Sequence, residues 1–177
     1  MIGWMVALAL AADPAALRQV HDDGAVVDVS TEAVGVAADV GPVALGVDYR
    51  YGSYVGAHVG WRRTLTGGER SWGIDGVATT GLGGLLATPG VALLATGEVR
   101  GGFRNDQGQA TFGVVVPLAV RVDVPPQLAV PLGIELRLAW RLGPLWVGAR
   151  GQAGGTLWSG GVPAGRAVAG GFLEVRR

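Results

Sequence analysis

Residues 91–104 read VALLATGEVRGGFR. Taken alternately, they fall into two sets. Val91, Leu93, Ala95, Gly97, Val99, Gly101 and Phe103 are all apolar or small. Ala92, Leu94, Thr96, Glu98, Arg100, Gly102 and Arg104 carry every charge. Successive side chains of a strand point to opposite faces, so this alternation predicts a strand with one apolar and one polar face. Which of the two faces is the inside decides the fold.

The same period continues along the chain. Val43, Leu45, Val47, Tyr49, Tyr51, Val55, Ala57, Val59 and Trp61 share one parity, opposite Asp48, Arg50, His58 and Arg62. Phe112, Val114, Val116, Leu118, Val120 and Val122 oppose Thr111, Arg121 and Asp123. Leu128, Val130, Leu132, Ile134, Leu136, Leu138 and Trp140 oppose Glu135, Arg137 and Arg141, and Leu145, Val147 and Ala149 oppose Arg150 and Gln152. Strands of a doubly covered parallel sheet would instead read as continuous apolar runs.

Turn signals punctuate these runs. They are Gly41-Pro42, Thr66-Gly67-Gly68-Glu69, Thr88-Pro89-Gly90, Asn105-Asp106-Gln107-Gly108, Pro125-Pro126, Gly143-Pro144 and Ser159-Gly160-Gly161. Seven turns delimit eight extended segments, most of about 15 residues, with Gly52-Ser53 a bulge or a further turn inside the longest. Strands in sequence order joined by short hairpins form a meander, and one with no helix to cover its edges closes on itself.

Composition narrows the class. The chain has 177 residues, enough for one domain with a core. Charged residues make up 16%, against about 25% in ordinary soluble domains. Mean hydropathy is +0.38, yet no apolar run approaches the roughly 18 residues of a spanning helix. The 32 glycines disfavour a helical bundle. There is no Cys, and every basic residue is Arg, with no Lys. No basic patch is interleaved with aromatics, so no nucleic-acid partner is expected. At the N-terminus Ile2–Leu10 is a short apolar stretch, and Ala7-Leu8-Ala9 or Ala9-Leu10-Ala11 offers a small-x-small cleavage site. Residues 1–12 therefore read as a signal peptide, 13–24 as a solvated lead-in, and 25–177 as the β-domain.

Three features place the apolar faces outside. The polar parity is mostly Gly, Ala and Thr with one or two charges per strand, unlike a water-facing surface. Its charges are mixed in sign, as a narrow interior lined by ion pairs requires. The apolar faces exceed what one small barrel could hold, whereas lipid sets no such limit. Finally, Trp61, Trp72, Phe103, Phe112, Trp140 and Trp146 flank alternate turns and so gather at one rim, as a membrane-interface belt would. Trp146 and Phe172 fall on the polar parity and break that belt. The expected fold is all-β, an eight-stranded antiparallel up-and-down transmembrane β-barrel. The expected lumen network is Asp48, Arg50, His58, Asp75, Glu98, Arg100, Arg121, Glu135, Arg137 and Arg150. The competing reading is a soluble secreted barrel, its apolar faces turned inward around an apolar ligand.

Segments such as VALLATGEVRGGFR and QLAVPLGIELRLAWRL resemble strands of the small eight-stranded bacterial outer-membrane proteins, the group of the OmpA-type and OmpX-type barrels. The resemblance covers residues 25–177. It implies a Gram-negative outer-membrane location, lipid and the barrel-assembly machinery as partners, and a periplasmic N-terminus. The chain departs from that family by ending FLEVRR rather than on an aromatic, and by its tight turns.

Candidate chemistry is sparse. His58 lies on the lumen parity and Ser53 on the opposite one, so a Ser/His pair is not expected. His21-Asp22-Asp23 are consecutive and converge poorly on a metal. Gly81-Leu82-Gly83-Gly84 lacks the residues of a phosphate loop. The expectation is thus a barrel with no cofactor, no metal and no enzymatic activity. Its lumen is either a salt-bridged plug with an envelope-integrity role or a narrow, porin-like ion path.

Overall fold

In the computed structural model the described residues are 14–20, 24–67, 71–86, 90–121, 130–158 and 165–176. They form one short helix, α1 (Ala15–Gln19), and ten strands. These are β1 (Gly24–Ser30), β2 (Ala33–Val40), β3 (Val43–Arg50), β4 (Tyr54–Gly67) and β5 (Trp72–Leu85), then β6 (Gly90–Arg104), β7 (Gly108–Arg121), β8 (Val130–Leu142), β9 (Leu145–Trp158) and β10 (Gly165–Arg176). Each strand pairs antiparallel with its neighbour in sequence, and β1 closes on β10 from Gly24↔Arg176 to Ser30↔Gly170. The predicted signal peptide lies outside the described residues.

The up-and-down antiparallel barrel is as expected; the strand count is not eight but ten. Both extra turns lie in the first third of the chain. Residues 25–40, taken as one strand, fold back at Ser30-Thr31-Glu32. There the Ser30 hydroxyl accepts from the backbone N–H of Glu32 at 3.3 Å and of Ala33 at 3.0 Å. A serine turn of this kind needs neither Gly nor Pro, so the usual punctuation is missing. The second turn is at Tyr51-Gly52-Ser53, where Ser53 N donates to Arg50 O at 3.1 Å and Gly52 has φ +69. A 15-residue run can thus be one strand of β6's length or two of β1's and β2's.

The opening question has a direct answer. Along β6 burial alternates strictly, with Val91, Leu93, Val99 and Phe103 exposed and Ala92, Thr96, Glu98 and Arg100 buried. The outward faces of the other strands are likewise apolar, as Val47, Val59, Leu82, Val114, Ile134, Leu136 and Leu173 illustrate. A soluble barrel would bury these side chains, so the inside-apolar reading is excluded.

Inward glycines shape the interior. An added Cβ at Gly60 would lie 2.9 Å from Leu17, and one at Gly35 3.1 Å from Ala16, so β2 and β4 leave a seat for α1. Gly102 on β6 is tighter still: a Cβ there would lie 2.1 Å from the Ala110 carbonyl oxygen across the β6–β7 ladder. Backbone cannot retreat as a side-chain tip can. Gly102→Ala is therefore expected to cost about 1–3 kcal/mol, measurable as a shift in the urea midpoint of the refolded barrel.

Candidate functional site: the filled lumen

The interior is layered. Of the segment read as a solvated lead-in, residues 14–20 are instead buried: all five residues of α1 are enclosed, and the helix packs against β1 to β5. One turn of helix is unstable alone, so tertiary contacts hold it. On its apolar side Ala16, Leu17 and Val20 join Val26, Ala37, Ala44, Ala139, Trp146 and Phe172.

Its polar side enters a charged layer. Arg18 donates to Glu98 on β6 and to Glu135 on β8, each at 2.9 Å. In return Arg100 and Arg137 donate to the Arg18 carbonyl oxygen at 2.6 and 3.1 Å. Arg137 also pairs with Glu135, and its Nη2 lies 3.3 Å from Glu98. Next to this group Gln19 donates to Asp28 at 2.5 Å, and Arg150 holds both Asp28 oxygens at 2.7 and 2.8 Å. Nearer one rim Asp75 accepts from Arg104, from Arg100 at 3.5 Å and from the Thr64 hydroxyl at 3.2 Å. Charges removed from water require such partners, and here carboxylate and guanidinium alternate across strands.

Towards the opposite rim Tyr54, Ala92 and Leu94 form a second buried cluster. Beside it His58 Nε2 lies 3.3 Å from Asp48 Oδ2 and 3.3 Å from the Tyr54 hydroxyl. Arg50 belongs to a separate, half-buried group, where Glu32 on the β1–β2 turn takes Arg50 at 2.6 Å and also Arg166.

Asp48, His58, Asp75, Glu98, Arg100, Glu135, Arg137 and Arg150 are thus all buried, as their parity predicts. Arg121 ends β7, and its side chain lies outside the described residues. His21, Asp22 and Asp23 also lie outside them. Ser53 sits in the turn before β4, with its chain neighbour Tyr54 opposite Leu85, whereas His58 is opposite Gly81. The two are thus separated along the strand. Parity missed Asp28, although it lies between the outward Val27 and Val29 and was legible. Arg18 and Gln19 carried no such signal, because a lead-in has no strand period.

Of the expected rim aromatics, Trp61, Trp72, Phe103, Phe112 and Trp140 are exposed. They remain at one end because both additional turns precede them, which leaves the up-and-down sense of every later strand unchanged. Trp146 is a correction. It is buried at 7% exposure, with the Arg176 guanidinium 4.0 Å above its ring. Its neighbours Leu145 and Val147 take the outward face, so Trp146 points inward, and so does Phe172 on the adjacent strand.

A closed antiparallel barrel with apolar residues outside and ion pairs inside crosses a bilayer with its strands. The chain is an outer-membrane β-barrel protein, and its location is the bacterial outer membrane. No protein-family model matches it, and no curated protein is significantly similar. Among solved structures, it matches the outer-membrane expressed OmpT of Vibrio cholerae at 13% identity and TM-score 0.41, over 84% of this chain and 56% of that one. The in-vitro folded OmpT of the same organism matches at 12% identity and TM-score 0.39, over 84% and 55%. The chain therefore spans little more than half the length of these barrels.

Two expectations are corrected. The eight-stranded OmpA-type or OmpX-type barrel gives way to ten strands, and the barrels matched are OmpT proteins. The expectation of a barrel without enzymatic activity is withdrawn as well. It had rested on finding no convergent polar side chains, whereas the fold brings Asp48, Tyr54 and His58 together inside the lumen.

Proposed function

We propose that this outer-membrane barrel is closed by its own N-terminal segment and serves a structural, envelope-integrity role. The observation that carries the reading is the two-way clasp on Arg18. Its guanidinium is gripped by Glu98 and Glu135, and its carbonyl by Arg100 and Arg137. Charge-assisted hydrogen bonds in a dry interior are strong and directional, so the segment is anchored from two strands, β6 and β8, at once. The glycine seat on β2 and β4 supports the same reading, since Gly60 has Leu17 of the helix as its nearest neighbour and Gly35 makes room for Ala16 as well as for the Asp48 carboxylate.

Closure is tested in planar lipid bilayers. The wild-type protein is expected to give no steady conductance. Replacing Arg18 by Ala removes the guanidinium half of the clasp while leaving the wall strands intact, and is expected to produce channel openings. Steady conductance from the wild-type protein would overturn closure in favour of an ion-conducting barrel.

A further inference from the structure

The charged layer leaves two of its donors unmatched. In it Arg18, Arg100, Arg104 and Arg137 pair with Asp75, Glu98 and Glu135. The unmatched donors sit on the β5–β6 side. There Asp75 accepts from both Arg100 and Arg104, and Glu98 lies 3.9 Å from Arg100. Two buried donors in this corner, Arg100 Nη2 and Arg104 Nε, have no acceptor among the described residues. The Arg100 side chain is only 2% exposed, so its charge is deeply enclosed. Buried N–H groups and buried charge are both costly unless matched. The register explains the convergence: Asp75 is opposite Arg100 on β6 and Thr64 on β4, and Arg104 lies four residues further along the same inward face.

We propose that Arg100 and Arg104 form an intraluminal binding site for a small soluble oxyanion of the phosphate class. A tetrahedral oxyanion supplies lone pairs to both N–H donors and a negative charge beside their guanidiniums. The planar guanidinium fork favours oxyanions over a spherical halide. The site lies inside the wall, whose outward faces are apolar, so the anion comes from the aqueous side and not from lipid head groups. The site stands on the barrel and its arginines, whether or not the lumen conducts. Arg100 also holds the Arg18 carbonyl through Nη1, so anion and N-terminal segment share one side chain.

The experiment uses the full chain refolded in maltoside micelles, with inorganic phosphate titrated against chloride at constant ionic strength. Binding is read by equilibrium dialysis and by the temperature at which the folded gel band is lost. One saturable site is expected, with a higher melting temperature when it is filled. Arg104→Gln should weaken binding at least tenfold, whereas Arg141→Gln at the exposed rim should not change it. Arg100→Lys keeps the charge but removes the fork, and should weaken phosphate comparably. It substitutes as the test should Arg104→Gln fail to give a folded band. Absence of saturable binding, or wild-type affinity in folded variants of both Arg100 and Arg104, would overturn the site. So would a response to the phosphate-headed detergent dodecylphosphocholine with none to inorganic phosphate, which would reassign the chemistry to lipid.

Discussion

Glu98→Ala is expected to destabilise the folded barrel by about 3–5 kcal/mol, the range for removing one partner from a buried ion cluster. Glu98 accepts from Arg18 at 2.9 Å, lies 3.3 Å from Arg137 and is 3.9 Å from Arg100. Its removal takes a carboxylate from three buried guanidiniums, which keep Glu135 and Asp75 among the described residues. Coulomb repulsion among them is poorly screened where water is excluded. The measurement is reversible urea unfolding from lipid vesicles. Glu32→Gln is the control, because Glu32 pairs with Arg50 and Arg166 where all three side chains are partly solvated. Partly exposed pairs contribute roughly 0–1 kcal/mol, so this variant should unfold close to wild type. Equal losses from the two substitutions would mean that the central layer is hydrated, and the closed lumen would fall with it.

The second large effect is expected on the opposite side of the same strand. Val99 is adjacent to Glu98 in sequence but 56% exposed on the outer face. In water an exposed Val→Arg change typically stays within about ±0.5 kcal/mol. In a bilayer, Arg on the lipid face of a barrel costs roughly 2–4 kcal/mol near the midplane, falling towards the interfaces. Val99→Arg should therefore lower stability in vesicles and reduce the yield of folded, heat-shifted protein. Neutrality in vesicles would contradict a lipid-facing outer surface. Glu98→Ala and Val99→Arg together test both faces of VALLATGEVRGGFR, one residue apart.

The sequence's legibility follows from what is periodic. A strand writes its inside and outside at every second residue, so eight buried members of the lumen set were readable without coordinates. Turns are written less reliably. Gly41-Pro42 and Gly143-Pro144 were plain, and both glycines have positive φ. Ser30-Thr31-Glu32 was not, because its turn rests on a serine side-chain hydrogen bond that any polar stretch could offer. That one omission, together with the unresolved choice at Gly52-Ser53, made ten strands into eight. Trp146 shows the reverse case. Its parity pointed inward, but its residue type suggested a membrane interface, and the parity was the better guide.

Sequence alone determined that this is a β-barrel, which face of each strand meets lipid, and that the interior is lined by mixed charges. These are local consequences of the two-residue period and of a composition too apolar for a water-facing surface. Only the tertiary structure decided the strand number, the partners within the charged layer, and the fate of residues 14–20. Arg18 meets Glu98 across 80 positions and Glu135 across 117. No local pattern encodes such a contact. It exists because closing β10 onto β1 creates an enclosed space whose inward glycines leave room for one short helix, and whose carboxylates Glu98 and Glu135 match the charge of its arginine.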